Sequence, residues 1–210
     1  HKYHLLAVLL YLNMCLWSNC DVLIYNHNEG KQTMVEFVKY TSILGNITIA
    51  IEDDTIIGLW FDGQKYDRAN IQGEFSASIS TMARETIDWL NEYFSGKNPE
   101  MTLKISPRGS IFQQAVWECL LKVPYGETRT YSDIKGLVCR KLGKISMPNQ
   151  AIGTDIGHNP ISIIIPCHRV IGKDGSLHGY AGGIERKQWL LQHEKTNASY
   201  SERILKMVLE

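Results

Sequence analysis

The segment 159–170 (NPISIIIPCHRV) constrains this chain more than any other stretch of its sequence. Residues 161–165 form a continuous apolar run, which predicts a short buried strand. Pro166 ends that strand and fixes the backbone immediately before Cys167. A free thiol has a pKa of about 8.5, and the adjacent His168 can accept its proton if a carboxylate supports the imidazole. The segment therefore predicts a cysteine nucleophile at the end of a buried strand.

The sequence leaves the partners of this cysteine open. The downstream carboxylates that could support His168 are Asp174, Glu185 and Glu194. Arg169 adds a positive charge beside the pair. Burial without reactivity is the alternative for Cys167, because free cysteine is among the most buried residue types. Cys119 and Cys139 fit that alternative, since each lies in an apolar helical pattern.

Composition bounds the class of protein. The chain has 210 residues, of which 44% are hydrophobic, and this is enough for one or two domains with substantial cores. A charged fraction of 21% with 10% aromatic residues excludes a disordered or fibrous protein. Five cysteines without a CxxC pair argue against a disulfide scaffold and against a closed cysteine-based zinc site. We therefore expect no metal site of this kind.

Charge is divided unevenly along a chain whose formal net charge is zero. Residues 1–100 carry 7 Lys+Arg against 13 Asp+Glu, whereas residues 101–210 carry 15 against 9. The two halves therefore differ in sign, and a polyanionic partner is expected to meet the C-terminal half.

The first 33 residues have a different character from the rest. Residues 5–17 (LLAVLLYLNMCLW) are apolar but too few to span a bilayer, which needs about 20. A signal-peptide core is one interpretation, and an extension that lies outside the fold is the one we favour, because strand-like sequence begins directly after Met34. The possible metal ligands in this segment fit no zinc template; they are Cys15, Cys20 and His27.

The N-terminal half predicts an α/β domain over residues 34–105. Isoleucines at 47, 49 and 51 alternate with other residues, which predicts a strand with one buried face. A turn at 53–54 and an apolar run over 55–61 complete a hairpin. Apolar residues at helical spacing predict a helix over 80–94, and 101–105 predicts a short edge strand.

The C-terminal half predicts a mostly helical domain over residues 111–195, after a linker at 106–110. Two predicted helices joined by a turn, in the basic C-terminal half of the chain, suggest a helix-turn-helix. A glycine-rich loop over 172–183 could bring backbone close to a flat ligand. A tail follows over 196–210. The predicted helices are 111–122, 131–142, 149–156 and 184–193.

Several motifs, in order and spacing, resemble the O6-alkylguanine-DNA alkyltransferases, also called methylated-DNA–protein-cysteine methyltransferases. The resemblance covers about 34–194. The matching stretches are PCHRV at 166–170, NP at 159–160, GYAGG at 179–183, FQ at 112–113, VW at 116–117, VPYGET at 123–128, Tyr131 and LLxxE at 190–194.

This resemblance implies a ribonuclease H-like α/β N-terminal domain and a winged-helix-like C-terminal domain with the helix-turn-helix. It implies irreversible transfer of an alkyl group from O6-alkylguanine, and from O4-methylthymine, to Cys167, with no cofactor. His168 would deprotonate the thiol through a water, and Glu194 would orient His168. Asn159 would support the turn, and Tyr131 would protonate the leaving base.

The resemblance also implies a partner, double-stranded DNA that carries the lesion. A monomer would approach through the minor groove with the lesion flipped out, in the cytoplasm and not at a membrane. The residues that would contact the base or the DNA are Tyr180, Gly182, Gln150, Ala151, Gly153, Arg169, Lys187 and Ala181.

Three positions depart from the family pattern. Gln150 stands where many members carry an arginine that fills the gap left by the flipped base. Ala181 stands where a serine is common, and residues 140–148 are longer than in some members.

Two rival functions and one additional role stay open at this point. One is a thiol hydrolase built on Cys167, His168 and Glu194, which would need an oxyanion hole. The other is a DNA-damage sensor without catalysis, although such proteins lack the acceptor cysteine. A regulator is a further possibility, but the extra zinc-binding domain of such members is not visible.

Overall fold

The computed structural model describes residues 34–209 apart from 69, 70 and 77. The expected extension over 1–33 lies outside the described residues, and so do Cys15, Cys20 and His27. Within the part that is described, no helix is long and apolar enough to cross a membrane.

Tight turns join the first three strands into an antiparallel meander. Asp53 and Asp54 both have positive φ, 46° and 56°, as a two-residue hairpin turn between twisted strands requires. The sheet order is β3-β2-β1-β4, with β4 parallel to β1. Its strands are β1 (Glu36–Ser42), β2 (Gly45–Glu52), β3 (Thr55–Phe61) and β4 (Glu74–Phe75).

The prediction of one buried face on the second strand is wrong, because β2 is buried on both faces. Ile47 and Ile49 belong to the main core. Ala50, on the opposite face, is also fully buried, in a second cluster with Phe37 and Trp60. Large apolar side chains from β1 and β3 cover this second face, which the alternation within β2 alone does not report.

Side-chain caps begin the first three helices. Ser80 caps α1, while capping boxes begin α2 at Ser110 and α3 at Thr130. The last helix was predicted to end at residue 193, but it continues to Leu209. The helices are α1 (Thr81–Phe94), α2 (Ile111–Leu120), α3 (Tyr131–Lys141), α4 (Asn149–Gly157) and α5 (Ile184–Leu209).

The edge of β3 that does not pair with β2 binds the segment that leads to Cys167. The Leu59 N–H donates to the Pro160 carbonyl at 2.9 Å, and the Leu59 carbonyl accepts from the Ser162 N–H at 2.8 Å. Farther along the same edge, Ile56 bridges Ile105, and this single bridge replaces the edge strand predicted over 101–105. The C-terminal half is thus docked on the sheet directly upstream of its reactive segment.

The apolar run at 161–165 folds as a turn, so the predicted buried strand is wrong. Ile163 adopts a left-handed conformation with φ of 70°, and the Ile165 N–H donates to the Ile161 carbonyl at 3.0 Å. All five residues are buried. The apolar pattern therefore reports burial correctly, but burial alone does not distinguish a strand from a compact turn.

Candidate active site

A buried amide closes the turn before the cysteine. Asn159 Oδ1 accepts from the Ile161 N–H at 3.0 Å, and its Nδ2 donates to the Ile165 carbonyl at 2.7 Å. The same Nδ2 lies 3.1 Å from the Cys167 Sγ. One side chain therefore holds both the turn and the sulfur.

Cys167 begins a single 3₁₀ turn, Cys167–Arg169, and is 5% exposed. Burial raises the pKa of its thiol, and the Asn159 hydrogen bond and the positive charge of Lys187 offset part of that rise. The thiol is therefore protonated in the resting protein, and its reaction requires a base.

Glu194 on α5 is the carboxylate that completes the site. It accepts from Arg169 Nε at 2.8 Å and Nη2 at 3.0 Å, from the Tyr93 hydroxyl at 2.7 Å and from the Gly126 N–H at 3.2 Å. Burial alone would raise the pKa of Glu194, but the contacts with His168 and Arg169 outweigh it and hold that pKa well below its usual range. Glu194 is therefore an ionised, fully buried acceptor.

His168 lies between the ionised carboxylate and the thiol segment. Its Nε2 is 2.8 Å from Glu194 Oε1, and both side chains are buried. Because an ionised carboxylate only accepts, Nε2 carries the proton and Nδ1 keeps a lone pair. Nδ1 is buried and has no hydrogen-bond partner among the described residues. Burial lowers the pKa of His168 despite the opposing effect of Glu194, so the imidazole is a neutral base.

The structure selects one of the three carboxylates that the sequence left open. Asp174 accepts from Ser176 within its own loop, and Glu185 is exposed in the first turn of α5. Tyr93 and Gly126, which also hold Glu194, were not predicted. The only available signal for Tyr93 was that a buried tyrosine hydroxyl usually has a partner.

Two cations that were predicted to contact DNA are held by acceptors within the protein. Lys187 is 1% exposed, and its Nζ donates to the carbonyls of Val170 at 2.5 Å and His178 at 2.7 Å. Arg169 is bound to Glu194 and donates through Nη1 to the Val123 carbonyl at 2.7 Å. The contact with DNA that was expected of these two residues does not fit this placement.

A cavity of about 440 Å³ opens between α3, α4 and the glycine-rich loop. Tyr180 in its wall meets the His168 ring edge-on, with ring centroids 6.4 Å apart. Two of the predicted substrate contacts, Ala151 and Gly182, are not part of the lining, although Ala151 is half-buried on α4. The lining residues are Lys65, Tyr66, Tyr131, Gln150, Gly153, Thr154, Gly157, Gly179, Tyr180 and Ala181.

Tyr131 stands at the N-terminus of α3 with its hydroxyl on this cavity. The hydroxyl donates to the His178 carbonyl at 3.0 Å. Burial raises the pKa of Tyr131, so it keeps its proton. Gly179 has φ of 64°, and a Cβ there would lie 2.9 Å from this hydroxyl. A side chain at that position would be strained in this backbone conformation and would crowd the Tyr131 hydroxyl.

The described residues contain no group of three or more His, Cys, Asp or Glu placed to hold a metal ion.

The cavity also includes two residues from the N-terminal half, Lys65 and Tyr66. Nothing in the sequence indicated them, because they lie in an irregular loop between β3 and β4.

Comparison with known proteins matches both halves of the chain. Residues 36–107 match the family model for the ribonuclease-like domain of 6-O-methylguanine DNA methyltransferase, and residues 111–196 match that for its DNA-binding domain. The methylated-DNA–protein-cysteine methyltransferase of Mycobacterium tuberculosis (strain H37Rv) is 39% identical over 172 residues, which are 79% of this chain and 95% of the relative. That of Methanosarcina barkeri is 48% identical over 114 residues, 54% of this chain and 69% of the relative.

Solved structures agree with these matches. The Mycobacterium tuberculosis O6-methylguanine methyltransferase superposes with a TM-score of 0.65 at 39% identity, covering 78% of this chain and 94% of that one. The Mycobacterium tuberculosis OGT in complex with DNA gives a TM-score of 0.66 at 39% identity and the same coverage. The resemblance in the motifs is thereby confirmed, and so is the division into a ribonuclease-like and a DNA-binding domain. The chain belongs to the methylated-DNA–protein-cysteine methyltransferase family.

Proposed function

We propose that this protein repairs DNA by moving an alkyl group from O6 of guanine to the Sγ of Cys167. The observation that carries this proposal is the geometry of His168, the residue after Cys167: its Nε2 is 2.8 Å from Glu194 Oε1, and its buried Nδ1 has no hydrogen-bond partner among the described residues. O4-methylthymine, which presents the same alkyl–oxygen bond on a base, is the second substrate we propose.

The proton of the thiol must leave before the sulfur can attack. In the proposed path it passes through a bound water to His168 Nδ1, and Glu194 stabilises the imidazolium that forms. The Asn159 amide N–H, 3.1 Å from Sγ, stabilises the thiolate. Asn159, His168 and Glu194 thus have successive roles in one proton transfer.

The alkyl transfer is a displacement at carbon. The bond between Sγ and the alkyl carbon forms while the bond from that carbon to O6 breaks, and the electron pair goes to the guanine. The Tyr131 hydroxyl supplies a proton to the leaving base and later recovers one from the imidazolium through solvent. The products are an S-alkylcysteine and an unmodified guanine. Since a thioether is not cleaved by water under these conditions, each molecule reacts once and needs no cofactor.

DNA must deliver the base out of its stack, because the alkyl carbon of a paired guanine is not open to attack in line. Extrusion costs a few kcal/mol and is easiest for a damaged base. The proposed contact is a minor-groove contact through the winged-helix-like domain, with α3 and α4 as its helix-turn-helix. Gly153 on α4 lines the cavity, and among the described residues no atom outside its own stretch of helix lies within 4 Å of where its Cβ would stand, which suits close approach of DNA. A cytoplasmic monomer suffices for this reaction.

Mass spectrometry tests the proposal. The protein is mixed with a duplex that carries one O6-methylguanine, and the intact mass and the peptides are measured. We expect a gain of one methyl group on the Cys167 peptide, at one equivalent and no more. Cys167→Ala should gain nothing, whereas the matched control Cys139→Ala, which removes another buried thiol, should react like the wild type.

Other outcomes would contradict the proposal in different ways. Tight binding of the lesion duplex without transfer would identify a damage sensor. Neither binding nor transfer would leave the thiol hydrolase as the function to test.

A further inference from the structure

The loop 62–68 connects the acidic N-terminal half to the reactive site. The side chain of Gln64 is buried, and its Oε1 accepts from the Phe61 N–H at 3.0 Å and the Ser162 hydroxyl at 3.1 Å. The next residue, Lys65, donates its N–H to the Ala181 carbonyl at 3.1 Å. The loop is thus bonded both to the turn before the cysteine and to the glycine-rich loop.

The two residues after Gln64 form the outer wall of the cavity. The Tyr66 ring packs against His158, with ring centroids 4.2 Å apart. The Lys65 Nζ lies 4.9 Å from the centroid of the Tyr66 ring, within the range of a cation–π contact. An exposed lysine side chain is therefore held at the cavity instead of extending freely into solvent.

The charge of Lys65 is unopposed. Among the described residues that line the cavity, Lys65 is the only charged one. None of the ion pairs formed within the described part of the chain involves it. A nucleotide that enters this cavity carries phosphates at its mouth, and a cation there is attracted to them at short range.

We propose that Lys65 binds a DNA phosphate next to the flipped nucleotide, and that Tyr66 is a positioning residue for it. The inference rests on the proposed function. It assigns part of DNA binding to the ribonuclease-like domain, whose half of the chain carries a surplus of acidic residues and was not expected to meet DNA.

The salt dependence of DNA binding and of methyl transfer tests this assignment. Lys65→Met should slow transfer from an O6-methylguanine duplex about three- to tenfold near 0.1 M salt. It should also make the slope of log affinity against log salt shallower by about 0.9, the value for one phosphate contact. The matched control is Lys97→Met, which removes the same charge from a lysine paired with Glu92 at the end of α1. It should leave both quantities unchanged.

Two further measurements separate phosphate binding from a structural role. Iodoacetamide tests the reactivity of Cys167 without DNA, and the alkylation rate of the Cys167 peptide should be equal in wild type, Lys65→Met and Lys97→Met. Tyr66→Leu should give part of the Lys65→Met change in salt slope, and Tyr66→Phe, which keeps the ring, should restore the wild-type slope.

The assignment would be overturned by equal salt slopes in Lys65→Met and wild type, or by a parallel fall in iodoacetamide reactivity. Binding of the lesion duplex in a Cys167→Ala background, followed by fluorescence anisotropy, gives the salt slopes without any transfer. If Lys65→Met binds DNA with a shallower salt slope than the wild type, but the wild type transfers no methyl group, the proposed function fails while this assignment stands.

Discussion

Two regions of the site differ in whether their polar groups already have partners within the protein. They are the thiol side, formed by Asn159, Cys167, His168 and Glu194, and the mouth of the cavity, formed by Lys65 and Gln150. On the thiol side, Glu194 accepts from four residues and every charged group is buried against a partner. At the mouth, the lining is neutral apart from Lys65, and Gln150 is exposed. The first region is complete in the free protein, whereas in our proposal DNA completes the second.

This difference separates chemistry from recognition. Changes in the buried network should alter the reaction of Cys167 and the stability of the fold together, because each group there is desolvated and depends on its partners. Changes at the mouth should alter affinity for DNA and leave the fold unaffected. The predictions that follow test this separation, from the largest expected effect to the smallest.

Glu194→Gln should have the largest effect. It leaves the Arg169 guanidinium without a counter-charge and lets His168 adopt other orientations. We expect single-turnover transfer to fall about 10²- to 10⁴-fold. Loss of one partner of a buried ion pair should also lower the free energy of unfolding by about 3–5 kcal/mol. Rapid-quench kinetics and urea denaturation measure the two effects, and a fall in only one of them would contradict the coupling.

Tyr131→Phe should come next, and it lies at the boundary between the two regions. The variant keeps the ring and removes the hydroxyl that we propose as proton donor. Transfer should slow about 10- to 100-fold at saturating DNA, while affinity for the lesion duplex changes less than about twofold. A loss of affinity equal to the loss of rate would place Tyr131 in recognition alone.

The pH dependence of stability reports on His168. Its folded-state pKa is lowered by burial, so below its ordinary value of about 6.5 the unfolded chain binds a proton that the folded chain excludes. Stability should therefore rise with pH through the window just below 6.5 and be lost as pH falls. Denaturation at pH 5–8 measures this slope. His168→Asn should reduce it, and His178→Asn, at an exposed histidine, should not.

Gln150→Arg should have the smallest effect. It adds a second cation to the mouth, so affinity for DNA should rise about three- to tenfold at low salt. Transfer at saturating DNA and the unfolding free energy should stay within about twofold and about 0.5 kcal/mol of wild type. Electrophoretic mobility shifts and thermal denaturation would show the result, and a changed rate at saturation would contradict the separation of the two regions.

Sequence predicted the elements whose signals are local. The hairpin turn lies at Asp53 and Asp54, as the turn signal predicted, and α1 covers nearly all of the residues predicted from their helical spacing. The motif around Cys167 predicted the family, because its residues follow one another in the chain in the order that the family shares. For these features, the information is contained within a few neighbouring residues.

Sequence did not predict features that arise from contacts between distant segments. Tyr93 meets Glu194 across 101 positions of chain, and Lys65 reaches the Ala181 carbonyl from the other domain. Lys187 looked like a surface cation by residue type, but two backbone carbonyls hold it in the interior. In each case tertiary packing decides the role, and no local pattern reports it.

The central claim is that His168, next to Cys167, is a neutral base in the protein without DNA. Nitrogen-15 NMR of histidine-labelled protein tests it most directly, with His168→Asn to assign the signals. The account predicts that at pH 7 His168 is neutral, protonated at Nε2 and unprotonated at Nδ1. An imidazolium at that pH, or a proton on Nδ1, would contradict it, because the thiol would then have no base to accept its proton.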